Sequence, residues 1–237
     1  MHSASAQLQA TYAEQIQVFL GRASTHASIP RFLAAVADVI GASSTAVMLW
    51  NREHVVAASM GTDLTARAAL DVELTVGEGP AHATALERCP LAVRKQDLAV
   101  RWPQFALAMA GMHLHMVAAA PLVHDGTSLG ALTVFDPPWT PDHGRLGLLQ
   151  SVADALVESL SQEVSSIGEG SDGALVHPLL AEDRTAVVHQ ATGIVATQSR
   201  CDTATALALI HARAFAEDIP SAELAARIVA GELRLDD

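Results

Sequence analysis

The chain has 237 residues, half of them apolar and only 4% aromatic, with a formal net charge of −12. That length holds two modest domains, and cores built of small side chains favour close helix packing over wide aromatic pockets. The negative field repels nucleic acid and anionic membranes on average, so any nucleic-acid contact must rest on a local surface.

Taken in chain order, Leu8, Tyr12, Ile16 and Leu20 recur every four residues and predict an amino-terminal helix over 5–20. "PRFLAAVADVIG" opens on Pro30 and stops at Gly41, the usual asymmetry of a helix. "TAVMLW" (45–50) and "HVVAAS" (54–59) are short apolar runs that predict a strand hairpin. Residues 62–88 look irregular and contain "VGEGPAH". A short strand in "PLAVRKQD" and a helix in "RWPQFALAMAGM" follow. "MVAAAPLV" (116–123) and "LGALTVF" (129–135) form a second hairpin around the turn Asp125-Gly126. A long helix runs to about residue 164, with Leu146, Leu149, Val152, Leu156 and Leu160 as its apolar stripe. Together these predict an α+β domain, an antiparallel sheet with its helices packed to one side.

"SSIGEGSDG" (165–173) is the Ser/Gly-rich stretch and predicts a linker. Three helices follow: 183–198, 203–216 capped by Asp202, and 220–229 stopped by Gly231. The stripe Val187, Val188, Ala191, Ile194, Val195 on the first can close a small core with Leu207, Ile210 and Ala214 on the second, and Leu224, Ala225 and Ile228 on the third. Gly193 interrupts the first helix, at a cost of ~1 kcal/mol against alanine. Chemistry alone favours tight helix packing as its reason, with close approach of a ligand backbone as the alternative. The resulting boundaries are 1–27 for the first helix, 28–163 for the α+β domain, 164–178 for the linker and 179–237 for the helical unit.

Chemistry-bearing motifs are sparse. Cys89 and Cys201 lack metal-ligand spacing, and both are expected as thiols of a reducing cytoplasm. The first residues carry no basic n-region before an apolar run, so no secretory signal is expected; no apolar run approaches the ~20 residues of a membrane span. His113 and His115 alternate, and with His82 they could ligate a metal or haem, but no further ligand is evident, so neither metal nor cofactor is expected. No G-x-S-x-G, H-E-x-x-H or Walker A pattern occurs, and no enzyme is expected.

Two family resemblances complete the reading. "VGEGP" (76–80), "PLAVRKQDLAVRWPQFALAMAGM" (90–112) and "AAPLVHDGTSLGALTVF" (119–135), in that order, resemble a GAF domain of the kind found in actinobacterial regulators. The resemblance implies a sensory or dimerising module with a pocket between the sheet and the segment near Gly77–Pro80, for a small-molecule ligand. Trp102, Phe105, His113 and His115 are its candidate lining; core packing is the plainer role for Trp102 and Phe105. The thiol-based sulfoxide reduction of some GAF-like proteins would lack a resolving partner for Cys89.

"VVHQATGIVATQSRCDTATALALIHARAFAEDIPSAELAARIVAGELRL" (187–235) resembles an ANTAR domain, the three-helix RNA-binding module of transcription antiterminators. That resemblance implies a dimer that binds paired stem-loops in nascent RNA and so prevents a terminator hairpin. Candidate RNA contacts are His189, Gln190, Thr192, Gly193, Gln198, Arg200, His211 and Arg213, since RNA loops are read by hydrogen bonds, stacking and charge. Lysine is common in the family where Thr192 stands, and arginine where His211 stands. Residues 182–237 hold five arginines against nine acidic residues. The alternative is therefore a GAF-based ligand sensor or protein-interaction module with weak or lost RNA binding.

Overall fold

The computed structural model describes residues 29–50, 56–167, 183–217 and 219–235. The helix expected at 5–20, the start of the second strand and most of the linker lie outside the described residues. The elements in chain order are α1 (Ile29–Ile40), β1 (Ser44–Trp50), β2 (Val56–Gly61), α2 (Leu64–Val76), α3 (Pro80–Glu87), β3 (Leu91–Arg94), α4 (Lys95–Arg101), α5 (Pro103–Ala108), β4 (Met116–His124), β5 (Thr127–Phe135), α6 (His143–Ile167), α7 (Asp183–Ser199), α8 (Thr203–Glu217) and α9 (Ser221–Val229).

Five strands form one sheet in the order β2-β1-β5-β4-β3, and every described pairing is antiparallel. Strand alternation sends residues to opposite faces. Val47 and Leu49 of β1 meet α1 and α6 through Phe32, Leu33, Val36, Val152 and Leu156. Ala46 and Met48 meet α2 and the segment around α5 through Ala66, Leu70, Trp102 and Phe105. The sheet is thus covered on both faces, not one. The reason is visible in β4 and β5, whose residues are buried on both sides. The alanines at 118–120 let helices approach both faces closely, and each large side chain sealed in these layers contributes ~1.5–3 kcal/mol.

Residues 62–88 are not irregular: they form α2 and α3. Asp63 starts α2, its carboxylate accepting the Ala66 N–H at 2.8 Å, and Gly77 ends it in the left-handed conformation. Short, alanine-rich helices separated by "GEG" hide their period, which is why the sequence reads as irregular there. The junction is held by Glu73, 1% exposed on α2. Its Oε2 accepts the N–H groups of Ala81 (2.9 Å) and His82 (3.1 Å) at the start of α3. A carboxylate at a helix N-terminus satisfies orphan donors and meets the positive end of the helix dipole. Gly79 leaves the room for it: a Cβ there would lie 2.4 Å from Glu73 Cγ, and its φ of +154° disfavours any side chain.

The carboxy-terminal unit is three helices around Val188, Ala191, Val195, Ala206, Ile210, Ala214, Leu224, Ala225 and Ile228. Asp202 caps α8 through the Thr205 N–H at 2.7 Å, and Gly231 follows α9 with φ +75°. Among the described residues, no helix is long and apolar enough to cross a membrane. Replacing Gly79 with alanine is expected to displace Glu73 and cost ~3 kcal/mol or more. Glu73→Gln, which keeps the shape and one carbonyl acceptor, is expected to cost ~1–3 kcal/mol. Urea denaturation of both variants against wild type checks the order.

Candidate interdomain site

The helical unit docks on the α+β domain at the far end of α2. Thr75, in its last turn, donates its hydroxyl hydrogen to the Asp71 carbonyl at 2.7 Å. The same oxygen accepts the backbone N–H of Ser221, the first residue of α9, at 3.2 Å, and the Ser221 hydroxyl lies 3.3 Å away. The negative end of α2 therefore meets the positive end of α9, a favourable alignment of helix dipoles. Ser221 is 1% exposed, so these bonds lie within the contact.

Beside this contact lies a cleft of about 170 Å³ between the two units. Trp50, Val56, Leu74, Gly77 and His82 line it from the domain, and Val188, His189, Leu207, His211 and Ser221 from the helices. His82 is fixed twice. Its Nδ1 is 3.3 Å from Glu73 Oε2, and the Trp50 ring stands edge-on to it at 5.6 Å between centroids. Burial first, and the charge of His82 second, push the His211 imidazole down to about 4.

The structure separates the residues singled out in the sequence. Trp102 and Phe105 pack edge-to-face at 6.4 Å inside the core. His113 and His115 are on the surface, with His115 Nδ1 3.3 Å from Asp136 Oδ2. These four do not line one pocket: Leu114, between the two histidines, points inward while they point out. Among the described residues no group of three or more His, Cys, Asp or Glu is arranged to hold a metal ion.

The candidate RNA contacts divide as well. Gln190, Gly193 and Arg200 are exposed along one side of α7, and Arg200 closes that helix in the left-handed conformation at φ 52°. His189 is exposed and reaches the cleft. Thr192, by contrast, is 6% exposed, and its hydroxyl donates to the Val188 carbonyl at 2.7 Å. A short polar side chain with its hydrogen bond made inside its own helix is tolerated in a core, and Thr192 offers no outward contact. Gln198 is half-buried, its Oε1 enclosed. His211 faces the cleft rather than solvent. Arg213 is exposed but paired with Glu217, which Arg227 also contacts; these two guanidiniums hold the Glu217 carboxyl below its ordinary range. Among the described residues Gly193 does not serve helix packing, because a Cβ there would meet nothing within 4 Å. The cleft residues Trp50, Leu74, His82 and Ser221 carry no local sequence signal that joins them; the Thr75–Ser221 contact spans 146 positions.

Docking should depend on pH through His211. In the unfolded chain its imidazole has the ordinary value of 6.5, and in the folded chain about 4. Above pH 6.5 both states are neutral there and its contribution is complete. Below 6.5 the unfolded state takes up a proton that the folded state refuses, so stability is lost progressively down to about pH 4. At pH 5 the loss is ~2 kcal/mol. Denaturation midpoints between pH 7.5 and 5 should fall more steeply for wild type than for His211→Phe.

Comparison with known proteins fits this architecture. The model of the GAF domain family matches residues 24–160. Similar solved structures include the GAF domain of a phosphoenolpyruvate-protein phosphotransferase from Acinetobacter, 13% identical, covering 72% of this chain and 100% of that one, with a TM-score of 0.47. Another is the corresponding domain from Coxiella burnetii, 12% identical, covering 68% and 97%, with a TM-score of 0.48. A third is the N-acylhomoserine lactone dependent LuxR family transcription factor CepR2 from Burkholderia cenocepacia, 18% identical, covering 74% and 99%, with a TM-score of 0.49. No curated protein matches the chain. With more than half of its length matched, and a five-stranded antiparallel sheet between helical layers, the chain belongs to the GAF domain family.

Proposed function

We propose that the protein is a signal-responsive, cytoplasmic transcription antitermination regulator, not an enzyme. In this reading the GAF domain receives a signal and the three-helix unit, acting as an ANTAR domain in a homodimer, binds paired stem-loops in nascent RNA. The observation that carries it is the outward side of α7. Gln190, Gly193, Thr197 and Arg200 are exposed there, and Gly193 leaves open space over the helix backbone. A glycine that costs helix stability and packs against nothing among the described residues is accounted for by an external partner that comes close. Leu209 and Phe215 on α8, 40% and 53% exposed, offer apolar area to a second copy.

A second reading has its own support. His211 is engaged in the interdomain cleft, and the helical unit carries more acidic than basic residues. Both favour a ligand-sensing or protein-interaction module with little RNA affinity.

Filter binding with a paired stem-loop RNA and a scrambled control separates the two. The antitermination reading expects specific binding that weakens as salt rises and is lost in Gly193→Glu, a variant that should fold. Equal retention of paired and scrambled RNA would overturn it. Independently, Gly193→Ala should raise stability by up to ~1 kcal/mol, since the added methyl meets no neighbour. Thermal unfolding reads that gain directly.

A further inference from the structure

We propose that the interdomain cleft binds a small organic acid, a single ring or short branched chain with one carboxylate, whose apolar body lies against Trp50, Leu74 and Leu207 and whose carboxylate bonds to His211. The site stands whether or not the helical unit binds RNA.

Size sets the first limit. The cleft measures about 170 Å³, and an apolar cavity of about 150 Å³ is known to take up benzene. A one-ring molecule fits. Chemistry sets the second. Leu74, Val56, Val188 and Leu207 present hydrocarbon, with Trp50 as the aromatic wall. The polar groups are mostly imidazoles: His82 from α3, His211 from α8 and His189 from α7.

The two central imidazoles are prepared differently. Glu73 stands behind His82 and accepts from its Nδ1, which leaves Nε2 as an acceptor toward the cleft. The His211 ring has no hydrogen-bond partner among the described residues, although it lines the cleft. Its nitrogens are open to whatever occupies the cleft, and a carboxylate that bonds to imidazolium there makes a charge-assisted hydrogen bond. None of the ten lining residues is Lys, Arg, Asp or Glu. From α9 comes Ser221, while Arg227 of that helix is paired with Glu217. The Glu73 carboxylate, behind His82, is already satisfied by that ring and two backbone N–H groups. The imidazole open to a ligand's negative charge in the cleft is therefore that of His211.

The proton balance follows. When the bare anion binds near neutral pH, His211 takes one proton from solvent and becomes imidazolium against the bound carboxylate. When the neutral acid binds, it hands its own proton to His211. The ligand touches Leu74 and His82 on one unit and Leu207 and His211 on the other, so it clamps the helices to the GAF domain.

Titration calorimetry of the full chain with benzoate and phenylacetate, against benzamide and phenylacetamide, tests this. At least one acid should bind, with one proton taken up per molecule as read from buffers of different ionisation enthalpy. Its Kd should tighten about tenfold per unit as pH falls from 7.5 to 5.5. The matching amide should bind at least tenfold more weakly. His211→Phe should abolish proton uptake and the preference for acid over amide; Trp50→Ala should weaken acid binding while keeping the uptake. Failure of both acids to bind at millimolar concentration would overturn the proposal. So would amides that bind as tightly as acids, or proton uptake that survives in His211→Phe.

Discussion

A single buried carboxylate organises the part of the molecule on which function turns. Glu73 leaves α2, passes the bare backbone of Gly79, and caps the first N–H groups of α3. A helix that starts on Gly79 and Pro80 has no side-chain cap of its own, so without Glu73 its first donors would be buried unmet. The same oxygen fixes the ring of His82, which turns one wall of the interdomain cleft. Fold and site thus depend on one residue that makes contacts in both. Glu78, two residues before α3, does similar work nearby: its Oε1 accepts the Gln104 N–H at 2.7 Å at the start of α5.

The helical unit gains most from the arrangement. Its core is made of alanines and a few branched side chains, and small units bury too little surface to be strongly stable alone. Docking on α2 supplements that core with the Thr75–Ser221 bonds and the walls of the cleft. Docking also turns His211 inward, so one residue expected to face a nucleic-acid partner instead faces the GAF domain. The outward side of α7 stays open.

Much of this was legible in the sequence, and the exceptions have physical causes. Both hairpins, the long α6 and the three final helices were marked by period, by proline and glycine, and by Asp202 as a cap. The helices α2 and α3 were hidden because alanine is apolar without setting a clear stripe. The second covered face of the sheet was hidden because alanine in β4 reads as neither core nor surface. The candidate pocket of Trp102, Phe105, His113 and His115 went astray because adjacency in sequence says nothing of which way a side chain points. Leu114 takes the interior and its neighbours take the surface. The cleft itself was invisible, because it is assembled from segments more than a hundred residues apart.

That separation bears on the order in which the protein is made. The 146 positions between Thr75 and Ser221 mean that the berth for the final helices is complete before they emerge from the ribosome. Domains form largely in order of synthesis, so the berth can be folded and waiting. The late segment then meets a prepared surface instead of searching with an unformed one, and the exposed life of its thin core is short.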